Sequence, residues 1–240
     1  MSAAFKTIEY RKDGPLAWVI LNRPDKVNAY NLQMRDDLWE VLFAIEADSE
    51  VKAAILCGNG ERGFCAGADL SEFGTAPSQI AARRVRWERD VFGKLAALRV
   101  PSIAAVHGHV IGSGLELALL CDLRIAAADA QFSMPETGLG LIPAAGGTQT
   151  LARVVGVPAA LDMILRGTLL GASSALGIGL VGRVVDRQRL RPAAEALARK
   201  LASIPPDVLA RGRSCMAAAE NLPIDLGLEF EARQVHALQQ

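Results

Sequence analysis

Glu116 and Glu136 are the residues whose type and surroundings most directly indicate chemistry. Glu116 follows the glycine-rich stretch Gly112-Ser113-Gly114, Glu136 follows Pro135 in a turn-forming stretch, and both stretches lie in a largely apolar part of the chain. Burial raises the pKa of a carboxyl group, and a second carboxyl nearby separates the two pKa values further. One glutamate can then hold a proton while the other accepts one, which indicates acid/base catalysis. The alternative is a pair of solvated surface glutamates, because Glu is rarely fully buried unless it is paired.

The same glycine-rich stretch does not match two common ligand-binding motifs. A dinucleotide-binding GxGxxG motif that begins at Gly112 needs a third glycine where Leu117 stands. A nucleophilic Ser113 needs a glycine two residues to either side, and both are absent. Glycines can instead bring backbone N–H groups at a helix N-terminus close to a ligand, where they favour developing negative charge. The sequence therefore predicts an oxyanion site here and a second approach of backbone to ligand in the small-residue stretch 62–70.

The order of strand and helix patterns predicts an α/β protein. The two patterns alternate up to about residue 186, and helices alone follow. The Asp13-Gly14 pair predicts a tight hairpin between two strands, and Asn31 is predicted to cap the first helix. The other predicted elements are buried strands at 52–57 and 103–107, a long helix from Pro77 to Leu98, a short helix from Gly112 to near Cys121, and terminal helices at 190–204, 207–219 and 225–238.

Composition excludes several classes of function. The chain has 240 residues, of which 51% are hydrophobic, and its 26 basic and 26 acidic residues cancel. This balance gives no overall field that would draw the protein to nucleic acid or to an anionic membrane, so neither is expected as a partner. No uncharged run reaches the roughly 18 residues of a membrane helix, and the N-terminal residues lack a long apolar signal segment. We therefore expect a cytoplasmic location.

The cysteines and histidines do not indicate a metal site. The four cysteines form no CxxC pair and lie in apolar stretches, so we expect reduced thiols rather than a disulfide framework or a zinc site. His107 and His109 can in principle bind a metal, but strand-end histidines satisfied by backbone contacts are the favoured interpretation. No metal is predicted.

Five ordered blocks of the sequence resemble the crotonase superfamily, also called the enoyl-CoA hydratase/isomerase family. The blocks are Leu21-Asn22-Arg23-Pro24 with Asn28-Ala29, Phe64 to Leu70, Ala105 to Leu117, Cys121-Asp122, and Pro135 to Thr148. The resemblance covers nearly the whole chain. It implies a spiral of ββα units over residues 1–189 and a helical C-terminal region, residues 190–240, that builds homotrimers, often stacked as hexamers.

The resemblance also implies a reaction, the hydration of a 2-enoyl-CoA to a 3-hydroxyacyl-CoA. The thioester oxygen would accept hydrogen bonds from the backbone N–H groups of Ala68 and Ser113, which form the oxyanion hole. Hydratases of this family have both glutamates, whereas isomerases commonly keep only the second. Glu116 would deprotonate water, and Glu136 would hold that water and give a proton to the α-carbon. No cofactor is expected, because coenzyme A is part of the substrate.

For the coenzyme A portion, the resemblance points to two segments, with Lys26 as a candidate phosphate partner. The implied residues are Lys26, Val27, Ala29, Ala66, Asp69 and Leu70. A single lysine in a charged loop can equally be solvated. Many relatives have lysine where this chain has Ser71, so a phosphate contact from that position would be lost. The chain also stops at Gln239-Gln240, where family members usually continue with a charged tail, so we expect either an absent tail or a sequence that omits it.

Other functions remain open at this level. Double-bond isomerisation, decarboxylation and thioester hydrolysis are alternatives on the same scaffold. A non-catalytic RNA-binding or scaffolding relative would depend on the arginines at positions 83, 84, 86 and 89, which alternate with acids and are typical of a solvated helix face. The acyl specificity cannot be read, because candidate pocket residues are mixed with ordinary core residues. The candidates are Leu70, Phe73, Ile80, Val85, Trp87, Phe92, Leu115, Leu139, Leu141 and Ile142.

Overall fold

A computed structural model describes residues 5–76, 78, 80 and 87–239 of the chain. Its larger sheet has six strands in the spatial order β1, β2, β3, β5, β7, β10, and all neighbours except the β1–β2 hairpin are parallel. The hairpin prediction is confirmed, and its turn contains Gly14 with a φ of 55°. The strands are β1 (Ile8–Asp13), β2 (Leu16–Leu21), β3 (Ala53–Gly58), β5 (Ser102–Val106), β7 (Leu123–Ala127) and β10 (Arg183–Val185).

A second sheet of four short strands lies next to the first. Its order is β4, β6, β8, β9, with β9 antiparallel to β8 and the other pairs parallel. The strands are β4 (Gly63–Cys65), β6 (His109–Ile111), β8 (Gln131–Ser133) and β9 (Leu170–Gly171). The glycine-rich stretch 112–114 follows β6, and the small-residue stretch 62–70 contains β4 and the residues after it. The smaller sheet therefore positions these two glycine-rich stretches side by side.

The helices alternate with the strands until β10, and the predicted α/β class is confirmed. Asn31 caps the first helix through its side chain, which accepts a hydrogen bond from Met34 N at 2.9 Å. The α-helices are α1 (Leu32–Ala47), α2 (Val91–Ala96), α3 (Ser113–Leu119), α4 (Gly147–Val155), α5 (Val157–Leu165), α6 (Ala172–Gly177), α7 (Leu190–Ala202), α8 (Pro206–Ala219) and α9 (Ile224–Leu238). Short 3-10 turns span Pro24–Lys26, Leu70–Glu72, Glu136–Leu139 and Arg187–Arg189.

The predicted single helix from Pro77 to Leu98 is not continuous. Asp90 has non-helical dihedral angles, and its side chain accepts a hydrogen bond from Gly93 N at 2.9 Å, so a new helix begins at Val91. An aspartate at an N-cap satisfies a backbone donor that a helix leaves unpaired. Residues 77, 79 and 81–86 of the predicted helix lie outside the described part of the chain.

Two hydrophobic cores cover the two faces of the larger sheet. One core lies between this sheet, α1 and the smaller sheet, and it includes Leu56, Leu38 and Phe132. The other core is formed by Trp18 and its neighbours together with Leu190, Ala194 and Ala198 of α7. The large apolar side chains among these residues each contribute roughly 1.5–3 kcal/mol when they are fully buried. Helix α7 therefore packs directly on the sheet, although the predicted C-terminal region begins at residue 190.

The last two helices form a hairpin whose side chains are not buried within the chain. Arg213 of α8 links the hairpin to the body, since its Nε donates to Asp122 at 2.8 Å and its Nη1 donates to Leu98 O at 2.8 Å. Several apolar side chains of this hairpin are exposed, among them Met216, Ile224 and Leu228. The division into a core and a C-terminal trimerisation region stays a prediction.

Candidate active site

A cavity of about 820 Å³ opens between the two glycine-rich stretches, and both predicted catalytic glutamates line it. This volume is in the range of small-molecule sites. Of the residues predicted from the sequence, the cavity is lined by Ala66, Ala68, Asp69, Leu70, Ser113, Glu116 and Glu136. Residues that are distant in sequence therefore come together at one site.

Gly67 and Gly112 bring two backbone segments into contact at the cavity wall. Both have positive φ values, 97° and 51°, which favour glycine. A Cβ atom added to Gly67 would lie 3.2 Å from the carbonyl oxygen of Ile111 and 3.9 Å from Cα of Gly112, so the segments adjoin with no room for larger side chains. The peptides that follow the two glycines carry the N–H groups of Ala68 and Ser113.

The N–H groups of Ala68 and Ser113 have no acceptor among the described residues. Neighbouring groups are satisfied, since Tyr30 N donates to Gly67 O, Asp69 N donates to Tyr30 O and Gly112 N donates to Ser133 O. Ser113 is the first residue of α3, where backbone donors have no partner inside the helix. Two free donors at one cavity wall can bind an oxygen atom that develops negative charge.

A serine at position 113 is compatible with this arrangement. The described non-glycine residues with positive φ are Val27 and Asn28, so Ser113 has an ordinary backbone conformation that tolerates a side chain. The next residue, Gly114, is required for packing, because a Cβ atom there would lie 2.4 Å from the carbonyl oxygen of Cys65. Because Gly114 has no Cβ atom, α3 lies directly against β4.

Glu116 is held by the loop that precedes α4. Its side chain is 2% exposed, and its Oε1 accepts hydrogen bonds from Ala145 N at 2.8 Å and from Gly147 N at 2.9 Å. These two bonds fix the carboxylate in orientation. No described residue donates to Oε2, which leaves one oxygen for a ligand or a water molecule in the cavity.

Glu136 has a different environment at the start of the 3-10 turn Glu136–Leu139. Its Oε2 is buried and has no hydrogen-bond partner among the described residues, and its Oε1 lies beside Gly112. Burial raises the pKa of Glu136, the negative charge of Glu116 raises it further, and the backbone N–H of Glu136 opposes both effects. Glu136 therefore holds a proton more readily than a solvated glutamate does.

The apolar candidates from the sequence separate into three groups. Leu115 is completely buried in the core. Ile80 and Trp87 are both 78% exposed and do not line the cavity, and Val85 lies outside the described residues. The remaining six line the cavity: Leu70, Phe73, Phe92, Leu139, Leu141 and Ile142.

The segment around Lys26 lies beside the cavity without lining it. Lys26, Val27 and Ala29 do not contact the cavity, although Val27 O accepts a hydrogen bond from Ala66 N at 2.9 Å. Asp69 is ion-paired with Arg23 at 2.9 Å and accepts hydrogen bonds from Ser71. The Ser71 hydroxyl and then Arg23 lower the pKa of Asp69, so its carboxylate stabilises the loop. The predicted role of these residues in binding coenzyme A stays a prediction.

Sequence reasoning did not assign the residues that hold Glu116 or those that form a polar part of the cavity wall. Ala145 and Gly147 orient Glu116, and the only signal was the Gly146-Gly147 pair in the fifth block. Tyr30, Arg35 and Arg89 also line the cavity. Arg89 had been grouped with a predicted solvated helix face, of which residues 83, 84 and 86 lie outside the described chain.

Comparison with known proteins identifies the family. The model of the enoyl-CoA hydratase/isomerase family matches residues 11–240. The chain belongs to this family. Its members include a short-chain-enoyl-CoA hydratase from Clostridium acetobutylicum, which is 39% identical over 92% of this chain and 85% of the relative. A crotonyl-CoA hydratase from Syntrophomonas wolfei is 35% identical over 93% of this chain and 85% of its own length.

Solved structures of the enoyl-CoA hydratase/isomerase family have the same fold. The enoyl-CoA hydratase from Bacillus anthracis superposes with a TM-score of 0.90 at 33% identity, over 96% of this chain and 90% of that one. The predicted crotonase fold and family membership are therefore confirmed. Among the described residues, every helix is too short or too polar to cross a lipid bilayer.

Proposed function

We propose that this protein is an enoyl-CoA hydratase that adds water across the double bond of a 2-enoyl-CoA to give a 3-hydroxyacyl-CoA. The observation that carries the proposal is the pair of glutamates that line one cavity, of which one is held by two N–H donors and the other has a buried oxygen without a partner among the described residues. Relatives named as hydratases, with 35–39% identity over most of the chain, support the same reaction.

The thioester carbonyl oxygen binds the N–H groups of Ala68 and Ser113. When hydroxide adds to the β-carbon, negative charge moves onto this oxygen, and donors that are already in place stabilise it without reorganisation. Both donors lack an acceptor in the part of the chain that the structure describes, which supports this role. Removing one such donor typically raises the barrier by about 2.7–4 kcal/mol.

The two glutamates divide the proton transfers between them. Glu116 accepts a proton from the attacking water through its free oxygen, while Glu136 helps to hold that water and protonates the α-carbon of the enolate. The raised pKa of Glu136 supports its role as the donor. A proton exchange between the two carboxyl groups through solvent then restores the starting state. Coenzyme A enters as part of the substrate, and the reaction needs no further cofactor.

The test is hydration of crotonyl-CoA by the Glu116→Gln and Glu136→Gln proteins. Each substitution keeps the side-chain size and removes the acid/base function, so kcat should fall about 10²- to 10⁴-fold. Glu40→Gln, which changes an exposed glutamate on α1, serves as the matched control and should retain full activity.

The outcomes of this experiment also separate the alternatives. If both active-site variants hydrate crotonyl-CoA at the rate of the unmodified protein, the assignment is wrong. Incubation of the unmodified protein with a 2-enoyl-CoA and a 3-enoyl-CoA, followed by identification of the products, distinguishes hydration from isomerisation, decarboxylation and thioester hydrolysis.

The assembly and the coenzyme A contacts belong to the same proposal. A homotrimer, or a hexamer of two trimers, would cover the exposed apolar side chains of the α8–α9 hairpin. Lys26 is the candidate partner of a coenzyme A phosphate. The predicted cytoplasmic location fits cysteines that are all unpaired.

A further inference from the structure

One part of the cavity wall carries tyrosine and arginine, although many of the other lining residues are apolar. Tyr30, Arg35 and Arg89 line the cavity where the start of α1 approaches the start of α2. The apolar residues Leu70, Phe73, Leu139, Leu141 and Ile142 line the same cavity. Arginine on the wall of an acyl pocket is a costly choice unless its donors find an acceptor. This polar wall, consisting of Tyr30, Arg35 and Arg89, is therefore a candidate for substrate recognition.

The hydroxyl group of Tyr30 lacks a hydrogen-bond partner in the described part of the chain. Its ring packs against Phe92 with centroids 5.4 Å apart, which directs the residue along the cavity wall. Burial raises the pKa of this hydroxyl, and the charge of Arg35 acts in the opposite direction, so the guanidinium lies near it. Tyr30 is half-buried and its hydroxyl is not one of the enclosed, unpartnered side-chain atoms of the described residues, so the hydroxyl is open to a ligand.

The arginines of the polar wall have more donors than the described residues near them have oxygen atoms that accept. Arg35 donates through Nε and Nη2 to Oδ1 of Asp36 at 2.9 and 2.7 Å, and Nη1 of Arg89 forms an ion pair with the same oxygen at 2.9 Å. Each guanidinium has five N–H donors. No described residue accepts from Nη1 of Arg35, whose side chain is only 14% exposed.

The nearby carboxylates do not fill this need. Glu72 and Asp90 also line the cavity, but Glu72 accepts from Leu32 N at 2.8 Å and Asp90 from Gly93 N at 2.9 Å. Two arginines thus lie among three carboxylates, so net charge does not select an anion. The hydrogen-bond donors of Tyr30 and the two arginines instead favour a ligand that presents an oxygen atom as an acceptor.

The polar wall is separate from the reacting groups. Glu116 is held by Ala145 N and Gly147 N and Glu136 lies beside Gly112, whereas Arg35 and Arg89 are ion-paired with Asp36 on α1. We propose that the preferred substrates are 2-enoyl-CoA thioesters whose acyl chain carries a hydrogen-bond-accepting oxygen beyond the double bond, as a hydroxyl or a carboxylate, and that Tyr30 and Arg35 bind this oxygen. This inference rests on the proposed hydratase function.

The experiment compares kcat/KM for three 2-enoyl-CoA substrates of equal chain length that end in a methyl, a hydroxyl or a carboxylate group. The unmodified protein should prefer at least one of the oxygen-ended substrates over the methyl-ended one by about tenfold or more, because a buried donor left unpaired penalises the analogue without oxygen. The two oxygen-ended substrates show whether a neutral or a charged acceptor fits.

Tyr30→Phe and Arg35→Met then test the assignment to residues. Both substitutions keep the side-chain volume and remove hydrogen-bond donors. The ratio of kcat/KM for the preferred oxygen-ended substrate to that for the methyl-ended one should therefore fall about tenfold, to near one, in each variant. Arg199→Met is the matched control, since Arg199 is also an ion-paired arginine but lies on α7, away from the cavity. Its ratio should equal that of the unmodified protein. Thermal unfolding confirms that each variant is folded.

Three results overturn the inference, and a fourth overturns the proposed function itself. Equal kcat/KM on all three substrates in the unmodified protein removes the proposed selectivity and leaves the hydratase function intact. If the preference survives both substitutions, the assignment to Tyr30 and Arg35 is wrong. If kcat/KM falls equally on all three substrates, the two residues act in coenzyme A binding or in structure. If the unmodified protein hydrates none of the substrates, the proposed function itself fails.

Discussion

Glu116 and Glu136 are the same residue type on the same cavity, yet their surroundings differ. Glu116 is almost fully buried and receives two backbone hydrogen bonds, whereas Glu136 is half-buried with one oxygen that has no partner among the described residues. Burial and the charge of Glu116 raise the pKa of Glu136. The comparison teaches that backbone placement gives two identical side chains different surroundings, one held by two N–H donors and one with a buried oxygen that no described residue binds.

A glycine sets each of these two environments. A Cβ atom on Gly112 would lie 2.6 Å from Oε1 of Glu136, and one on Gly147 would lie 2.8 Å from Oε1 of Glu116. Real Cβ contacts are not this short, so an added methyl group must displace the carboxyl group. Alanine substitutions at the two glycines therefore disturb one glutamate at a time.

Gly112→Ala should have the largest effect. The methyl group displaces Glu136, and the φ of 51° strains the peptide that presents Ser113 N–H. Loss of one oxyanion donor alone typically lowers kcat about 10²- to 10³-fold, and the misplaced carboxyl group adds to this loss. Steady-state hydration of crotonyl-CoA gives the measurement.

Gly14→Ala is the matched control for Gly112→Ala. Gly14 has a similar φ of 55° in the β1–β2 turn, but no atom lies within 4 Å of an added Cβ. It should lose some stability through backbone strain and keep its kcat. If the two variants have equal kcat, the contact between Gly112 and Glu136 does not matter for the reaction.

Gly147→Ala should have a smaller effect on activity. The added Cβ atom would also lie 2.8 Å from Sδ of Met134, a flexible side chain that can move, so part of the crowding can relax. A shift of Glu116 that weakens its hydrogen bond to Gly147 N should reduce kcat about 10²-fold, which is the usual cost of a misplacement near 1 Å. Hydration kinetics measure it.

Gly177→Ala provides the comparison for Gly147→Ala. This glycine lies in helix α6, has no positive φ and has free space around an added Cβ. Replacement of a helical glycine by alanine should leave kcat unchanged and raise stability slightly. Equal activity of the Gly147→Ala and Gly177→Ala proteins would show that Glu116 does not depend on the loop before α4.

The sequence was sufficient to predict elements whose signals are local. The Asp13-Gly14 turn, the Asn31 cap and the glycines before α3 each specify a backbone conformation within a few residues, and each prediction agrees with the structure. The break at Asp90 was missed because the surrounding residues have helical propensity, while the aspartate itself favours an N-cap. Local signals thus explain the elements but not all of their boundaries.

The parts of the site that were missed depend on contacts between distant segments. Glu116 accepts hydrogen bonds from a segment about 30 residues further along, and Tyr30 packs against Phe92, which is distant in the sequence. No periodicity or local motif reports such a contact. Arg89 was assigned to a solvated face because alternating charges usually are solvated, but its partner, Asp36, lies on α1.

The smallest expected effect concerns stability, and it tests the same contrast between the glutamates. Because the pKa of Glu136 is raised in the folded state, folding favours the protonated form of this residue. The resulting contribution to the free energy of unfolding is present below the ordinary pKa of glutamate and is lost as the pH rises through the raised value. Glu136→Gln removes the penalty of the buried charge. The variant should therefore gain thermal stability over the unmodified protein at pH 7 but not at pH 4. The gain should be at most a few degrees, since 1 kcal/mol shifts Tm by roughly 2–4 °C at this size.

Thermal unfolding of both proteins at the two pH values measures the difference, and the exposed Glu40→Gln should show no such dependence on pH. A difference in Tm that is the same at pH 4 and pH 7 would mean that the proton affinity of Glu136 does not change on folding, and the distinction between the two carboxyl groups would be lost.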